Sequence, residues 1–158
     1  MNLITTARGA GTVFTPDEGD ATRADSTGDA MGRSVLLAWR TSPPAWLKGC
    51  LARIHRLGTL RANWDSYGAR PVDPCSVDLA ATVLRALAMV ETVEEPTVTA
   101  TPSGNAALCW DDGERSLDLE VHPNGDLEYS YLNVSPAIPA EDSQTTDIGR
   151  LAFLLTQF

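Results

Sequence analysis

Residues 63–74 read "NWDSYGARPVDP". Side chains of these types can do chemistry. A carboxylate and a phenol two positions apart can pass a proton, and an amide beside them can orient a ligand. Asn63, Asp65 and Tyr67 are therefore a candidate cluster for a small hydrolase or ligand-binding enzyme. The same residues also suit a corner with no chemistry of its own. Asn63 and Asp65 can bond turn amides, Trp64 and Tyr67 can wedge under a helix-to-helix junction, and Gly68 can relieve the bend. Pro71 holds Arg70 extended. The structural corner is the reading carried forward.

Other reactive types are scattered. Glu120 and Glu128 could form the paired carboxylates of a glycosidase, but such a pair needs a cleft that drives two pKa values apart, and an open sheet face supplies none. Asp111, Asp112 and Glu114 offer oxygens for a hard cation, yet their spacing misses the EF-hand pattern, and a solvated acidic turn is preferred. His55 and His122 stand far apart in sequence, neither at a recognisable nucleophile spacing. Cys50, Cys75 and Cys109 lack a CxxC pair and read as inert thiols. No catalytic residue, metal site or cofactor is assigned.

The elements that must position these residues follow from periodicity. Ser34–Arg40 is a short apolar run that belongs to the core as either strand or helical turn. Ser42 and Pro43 signal a helix start, with Trp46, Leu47, Cys50, Leu51, Ile54 and Leu57 on one stripe and Gly58 at its end. Asp73 and Pro74 open a second helix, whose face carries Val77, Ala80, Ala81, Leu84, Leu87 and Val90 until Pro96 forbids continuation. The corner lies between these helices.

Beyond Pro96 the period becomes two. Val98 and Ala100, Leu108 and Trp110, Leu117, Leu119 and Val121, then Leu127, Tyr129 and Tyr131 mark four strands. For the third hairpin, a three-residue loop of Pro123, Asn124 and Gly125 pairs Val121 with Leu127 and Leu119 with Tyr129. It also sets Glu120 opposite Glu128 and Asp118 opposite Ser130, so the outer face is acidic at some cost to the fold. A last helix is expected from a cap at Asp142 or Ser143, with Ile148, Leu151, Ala152, Leu155 and Phe158 on its stripe. The expected fold is α+β, a four-stranded antiparallel meander packed on one face by about three helices.

"NWDSYGARP", followed by a helix, a Pro-led strand and a meander ending "GDLEYSY", resembles a widespread group of uncharacterised bacterial and phage proteins. Their shared pattern is Asn-Trp-Asp-Gly-Tyr-Gly-Ala-x-Pro. The resemblance covers Leu60 to about Leu132 and implies a shared fold, without an activity. This chain has Ser66 at the first glycine of that pattern, which implies that glycine is not required for a left-handed backbone there.

Composition bounds the partners. At 158 residues and 43% apolar the chain can fill one core, and we expect a weakly ordered tail over residues 1–32 and a single domain over 33–158. A net charge of −9 disfavours direct contact with nucleic acid or an anionic membrane. With no span-length apolar run and no leader pattern, a cytoplasmic location is expected. Charge is also uneven. Residues 33–85 hold eight basic side chains against three acidic, and residues 91–128 hold ten acidic against one basic. The expectation is a non-enzymatic interaction module of the antitoxin, immunity or phage-borne inhibitor type. Its acidic sheet face, with Asp111, Asp112, Glu114, Asp118, Glu120, Asp126 and Glu128, would bind a basic protein, such as one whose nucleic-acid groove it occupies. Head-to-tail assembly, the positive helices of one copy on the negative sheet of the next, is a further alternative.

Overall fold

The structure, a computed structural model, describes residues 37–134 and 139–158. The expected tail over 1–32 lies outside these residues, as do Arg33 and the first part of the Ser34–Arg40 run. Helices α1 (Leu47–Leu57) and α2 (Pro74–Leu87) precede strands β1 (Thr97–Ala100), β2 (Ala106–Asp111), β3 (Arg115–Val121), β4 (Leu127–Asn133) and β5 (Glu141–Thr145); helix α3 (Ile148–Leu155) follows. The strands form one antiparallel sheet in the order β1-β2-β3-β4-β5. The fold is α+β.

The meander has five strands where four were expected. Glu141–Thr145, whose Asp142 and Ser143 were assigned as a helix cap, instead pairs with the free edge of β4. Its sequence, EDSQT, has neither apolar alternation nor β-branched enrichment, so local preference gives no strand signal; the unpaired backbone of β4 supplies one. The cap of α3 is Asp147, whose Oδ1 accepts the Gly149 amide at 2.8 Å.

α2 begins as expected, with Asp73 accepting the Cys75 amide at 2.8 Å and Pro74 in the first turn. α1 begins later than Ser42 and Pro43 imply, after a turn in which Leu47 N–H bonds Pro44 O. Its N-cap position is Trp46, with no side-chain cap. Trp39 makes an isolated bridge to Val90 but is 61% exposed, so only part of its run joins the core.

The core lies between the helices and one face of the sheet. Ile54, Leu84, Leu87, Leu108, Leu117, Leu119, Tyr131 and Leu151 are fully buried within it. Buried Ser76 on α2 fixes the layers in register: its Oγ donates to Val121 O at 2.6 Å and accepts the Ala106 amide at 2.8 Å. One hydroxyl thus satisfies backbone groups at the ends of β2 and β3. Among the described residues, no helix is long and apolar enough to cross a membrane.

Candidate functional site

The β3–β4 ladder has the register expected from the three-residue loop, including Glu120 opposite Glu128 and Asp118 opposite Ser130. Gly125, at φ +97°, takes the left-handed position of the turn. Register then assigns every outward side chain, because paired residues share a face. One row across the sheet reads Thr99, Ala107, Glu120, Glu128, Gln144, and the next reads Thr97, Cys109, Asp118, Ser130, Asp142. Asp111 follows beside Ser116. The helix-free face therefore carries Asp111, Asp118, Glu120, Glu128 and Asp142, around a trough of about 660 Å³ lined by four of these acids with Tyr129 and Gln144.

Asp142 was missed because its segment reads as a helix cap; only the fifth strand brings it to this face. The cations lie elsewhere. Arg115 projects to the inner side beside Leu117, and Arg150 pairs with Glu141 at 2.7 Å against the helices. Lys48, Arg56 and Arg85 are exposed on α1 and α2. Among the described residues, no Lys or Arg shares the acidic face.

Three expected members of the face differ. Asp112 turns into the second hairpin, where its Oδ2 binds Arg115 Nε at 2.9 Å and its Oδ1 accepts the Glu114 and Arg115 amides. Asp126 lies in the third turn, its Oδ2 accepting from Asn124 Nδ2 at 2.7 Å. Glu114 is exposed at the hairpin end. As for a hard cation, Asp111 and Asp112 already bind hairpin amides. Among the described residues no group of three His, Cys, Asp or Glu is placed to hold a metal ion.

Glu120 is the most constrained acid. Its Oε1 accepts from Asn105 Nδ2 at 2.7 Å, Ser103 Oγ at 2.8 Å and Thr101 Oγ1 at 2.9 Å. Burial pulls its pKa upward, yet these three donors, with the imidazole of His122 nearby, hold the carboxyl below the usual carboxylate range. His122 joins this network, with Nε2 3.1 Å from Glu128 Oε2 and Nδ1 3.3 Å from Asn105 Nδ2. Sequence reasoning left His122 isolated, although parity after buried Val121 places it outward. Cys109 sits beside Asp118 on the same face; burial and the Asp118 carboxylate push its thiol up to about 12, which leaves a poor nucleophile.

The corner is built largely as expected. Asp65 Oδ1 accepts the Tyr67 and Ala69 amides at 2.8 and 3.0 Å, and Asn63 Oδ1 accepts the Gly68 amide at 2.8 Å. The two amide bonds hold the Asp65 carboxyl below its ordinary value. Trp64 packs against the core and donates Nε1–H to Arg70 O at 3.2 Å. Tyr67 is a correction: it is 94% exposed and wedges under nothing. Ser66 has φ +67°, so the left-handed backbone is present here without glycine, at the strain a serine carries in that region. Comparison with protein-family models, with curated proteins and with solved structures finds no match.

Proposed function

We propose that the chain is a non-enzymatic interaction module, of the antitoxin, immunity-protein or phage-borne inhibitor type, that binds a basic protein through the open face of its sheet. One observation carries this reading. Asp111, Asp118, Glu120, Glu128 and Asp142 share one face with no Lys or Arg among the described residues. Internal donors hold Glu120 ionised and His122 lies beside Glu128, so the face keeps its negative potential, and a basic partner would gain speed of association from it. A protein with a nucleic-acid-binding groove has the matching charge. The enzyme alternative at the corner loses support, because Asn63 Oδ1 and Asp65 Oδ1 are committed to backbone amides.

The test is co-purification of a basic partner at low and high salt with the wild-type chain and with Asp118→Lys/Asp142→Lys. Both positions are exposed, so the fold should tolerate the change. Affinity at low salt is expected to fall roughly 100-fold in the variant and to weaken with salt in the wild type. A partner held equally by both chains, or indifferent to salt, would refute the reading.

A further inference from the structure

The outer face is not uniformly acidic. Along β4 the outward positions run Glu128, Ser130, Leu132, and Val134 continues the series past the strand end, where its N–H bonds Glu114 O at 3.0 Å. Opposite them on β3 stand Glu120, Asp118 and Ser116. Leu132 is 55% exposed and Val134 80% exposed, two of the four large apolar side chains that stand out in solvent among the described residues. The face thus carries paired carboxylate rows at one end of β4 and an aliphatic pair at the other, with Asp111 across Ser116 from Leu132. Among the described residues the pairing of β5 with β4 runs from Leu127 to Tyr131, so the acidic end is flanked by both neighbouring strands.

We infer that this face receives a single helix of a basic partner, lying lengthwise along β4, with Lys or Arg over the carboxylate rows and an apolar residue over Leu132 and Val134. The inference rests on the proposed function and specifies the partner's chemistry. Sheets bury their faces against helices, and among the described residues the helices of this chain lie on the other side of the sheet. Alternate residues of a strand repeat at about 6.7 Å, so Glu128 and Leu132 are about 13 Å apart along the strand. A helix covers that distance in about nine residues at 1.5 Å each. Basic residues at i and i+4 would meet the Glu120–Glu128 and Asp118–Asp142 rows, and apolar residues at i+8 and i+11 would reach Leu132 and Val134. A second copy offering the same face would oppose carboxylate to carboxylate, and a uniformly basic helix would leave the aliphatic end wet.

The experiment titrates the full chain with two synthetic helical peptides of equal charge. The first has Lys at i and i+4 and Leu at i+8 and i+11 of one stripe; the second has Ser in place of both Leu. Binding is read at low and high salt for the wild type, for Leu132→Ser/Val134→Ser and for Asp118→Lys/Asp142→Lys, with circular dichroism as a check on folding. We expect the Leu peptide to bind the wild type roughly tenfold or more tighter than the Ser peptide, that preference to vanish in Leu132→Ser/Val134→Ser, and both peptides to be lost in Asp118→Lys/Asp142→Lys. Equal binding of the two peptides, still salt-dependent and still abolished by charge reversal, overturns the helix inference and leaves the acidic docking face intact. Binding that survives charge reversal and high salt, or no binding of either peptide, overturns both.

Discussion

Ser66 shows how one residue can carry a cost that its neighbours conceal. Asn63 and Asp65 hold the corner closed by accepting three backbone amides, with Trp64 Nε1–H donating to Arg70 O beside them, and within that frame Ser66 takes φ +67°. Asn63, also left-handed at φ +63°, belongs to a residue type that tolerates this region. Serine tolerates it less well. Ser66→Gly is therefore expected to stabilise the chain by about 0.5–1 kcal/mol, the relief of strain less the extra chain entropy of glycine. A urea midpoint unchanged or lowered by the substitution would show the strain to be absent. The corner's amide bonding was legible in the residue types. The orientation of Tyr67 was not, because an aromatic ring in a turn has no periodicity that reveals which side it faces.

Between elements, the decisive joint is the docking of the corner onto the first hairpin. Arg70 N–H bonds Pro102 O at 3.0 Å and Asp73 N–H bonds Gly104 O at 2.8 Å, so the segment leading into α2 runs against the β1–β2 turn. Gly104 has φ +92°, and a Cβ there would sit 2.6 Å from Pro71 O. Both the backbone conformation and the close approach exclude a side chain. Gly104→Ala should cost about 2–4 kcal/mol; a loss under about 1 kcal/mol on chemical denaturation would mean that the contact yields without resistance. The same hairpin supplies Thr101, Ser103 and Asn105 to Glu120, so a disturbance at Gly104 reaches the acidic face. Asn105, 7% exposed, is one of two buried polar residues in the described chain. Helix α2 and the meander were readable from spacing, since their apolar periods are long and unambiguous. β5 was not, because an edge strand of polar residues is selected by its partner's backbone.

Across the whole molecule, charge sets a pH window for stability. Asp65, Glu95, Asp112, Glu120 and Glu141 all have folded-state pKa values below the ordinary 3.8 for Asp and 4.5 for Glu. Their partners differ: backbone amides for Asp65, the Arg53 guanidinium for Glu95, Arg115 for Asp112, the hairpin donors for Glu120, and Tyr129 with Arg150 for Glu141. A depressed carboxyl stabilises the fold fully above its unfolded value and loses that contribution as pH falls through its folded value. Cys109 acts at the other limb: its contribution is complete below 9.0 and is lost as pH rises toward about 12. Urea midpoints are thus expected to be flat between these limits, to fall steeply on the acid side and to fall again above pH 9.0, the alkaline limb being shallower in Cys109→Ala and not abolished, because burial also raises Cys50 and Tyr129. A midpoint unchanged down to about pH 3 would contradict the bonding assigned to these five carboxyls.

Sequence alone determined the helical stripes of α1 and α2, the register of the third hairpin and the parity that aligns Asp118, Glu120 and Glu128, because a period of 3.6 or 2 and a glycine at a turn are properties of neighbouring residues. Tertiary structure decided the rest: the fifth strand, the arrival of Asp142 on the acidic face, the capture of His122 between Glu128 and Asn105, and the diversion of Asp112 to Arg115. The first three depend on which distant backbone edge or side chain a residue meets, and the diversion of Asp112 on the geometry of its own hairpin turn. The distant contacts are chosen by packing of the whole chain, and no local pattern encodes them.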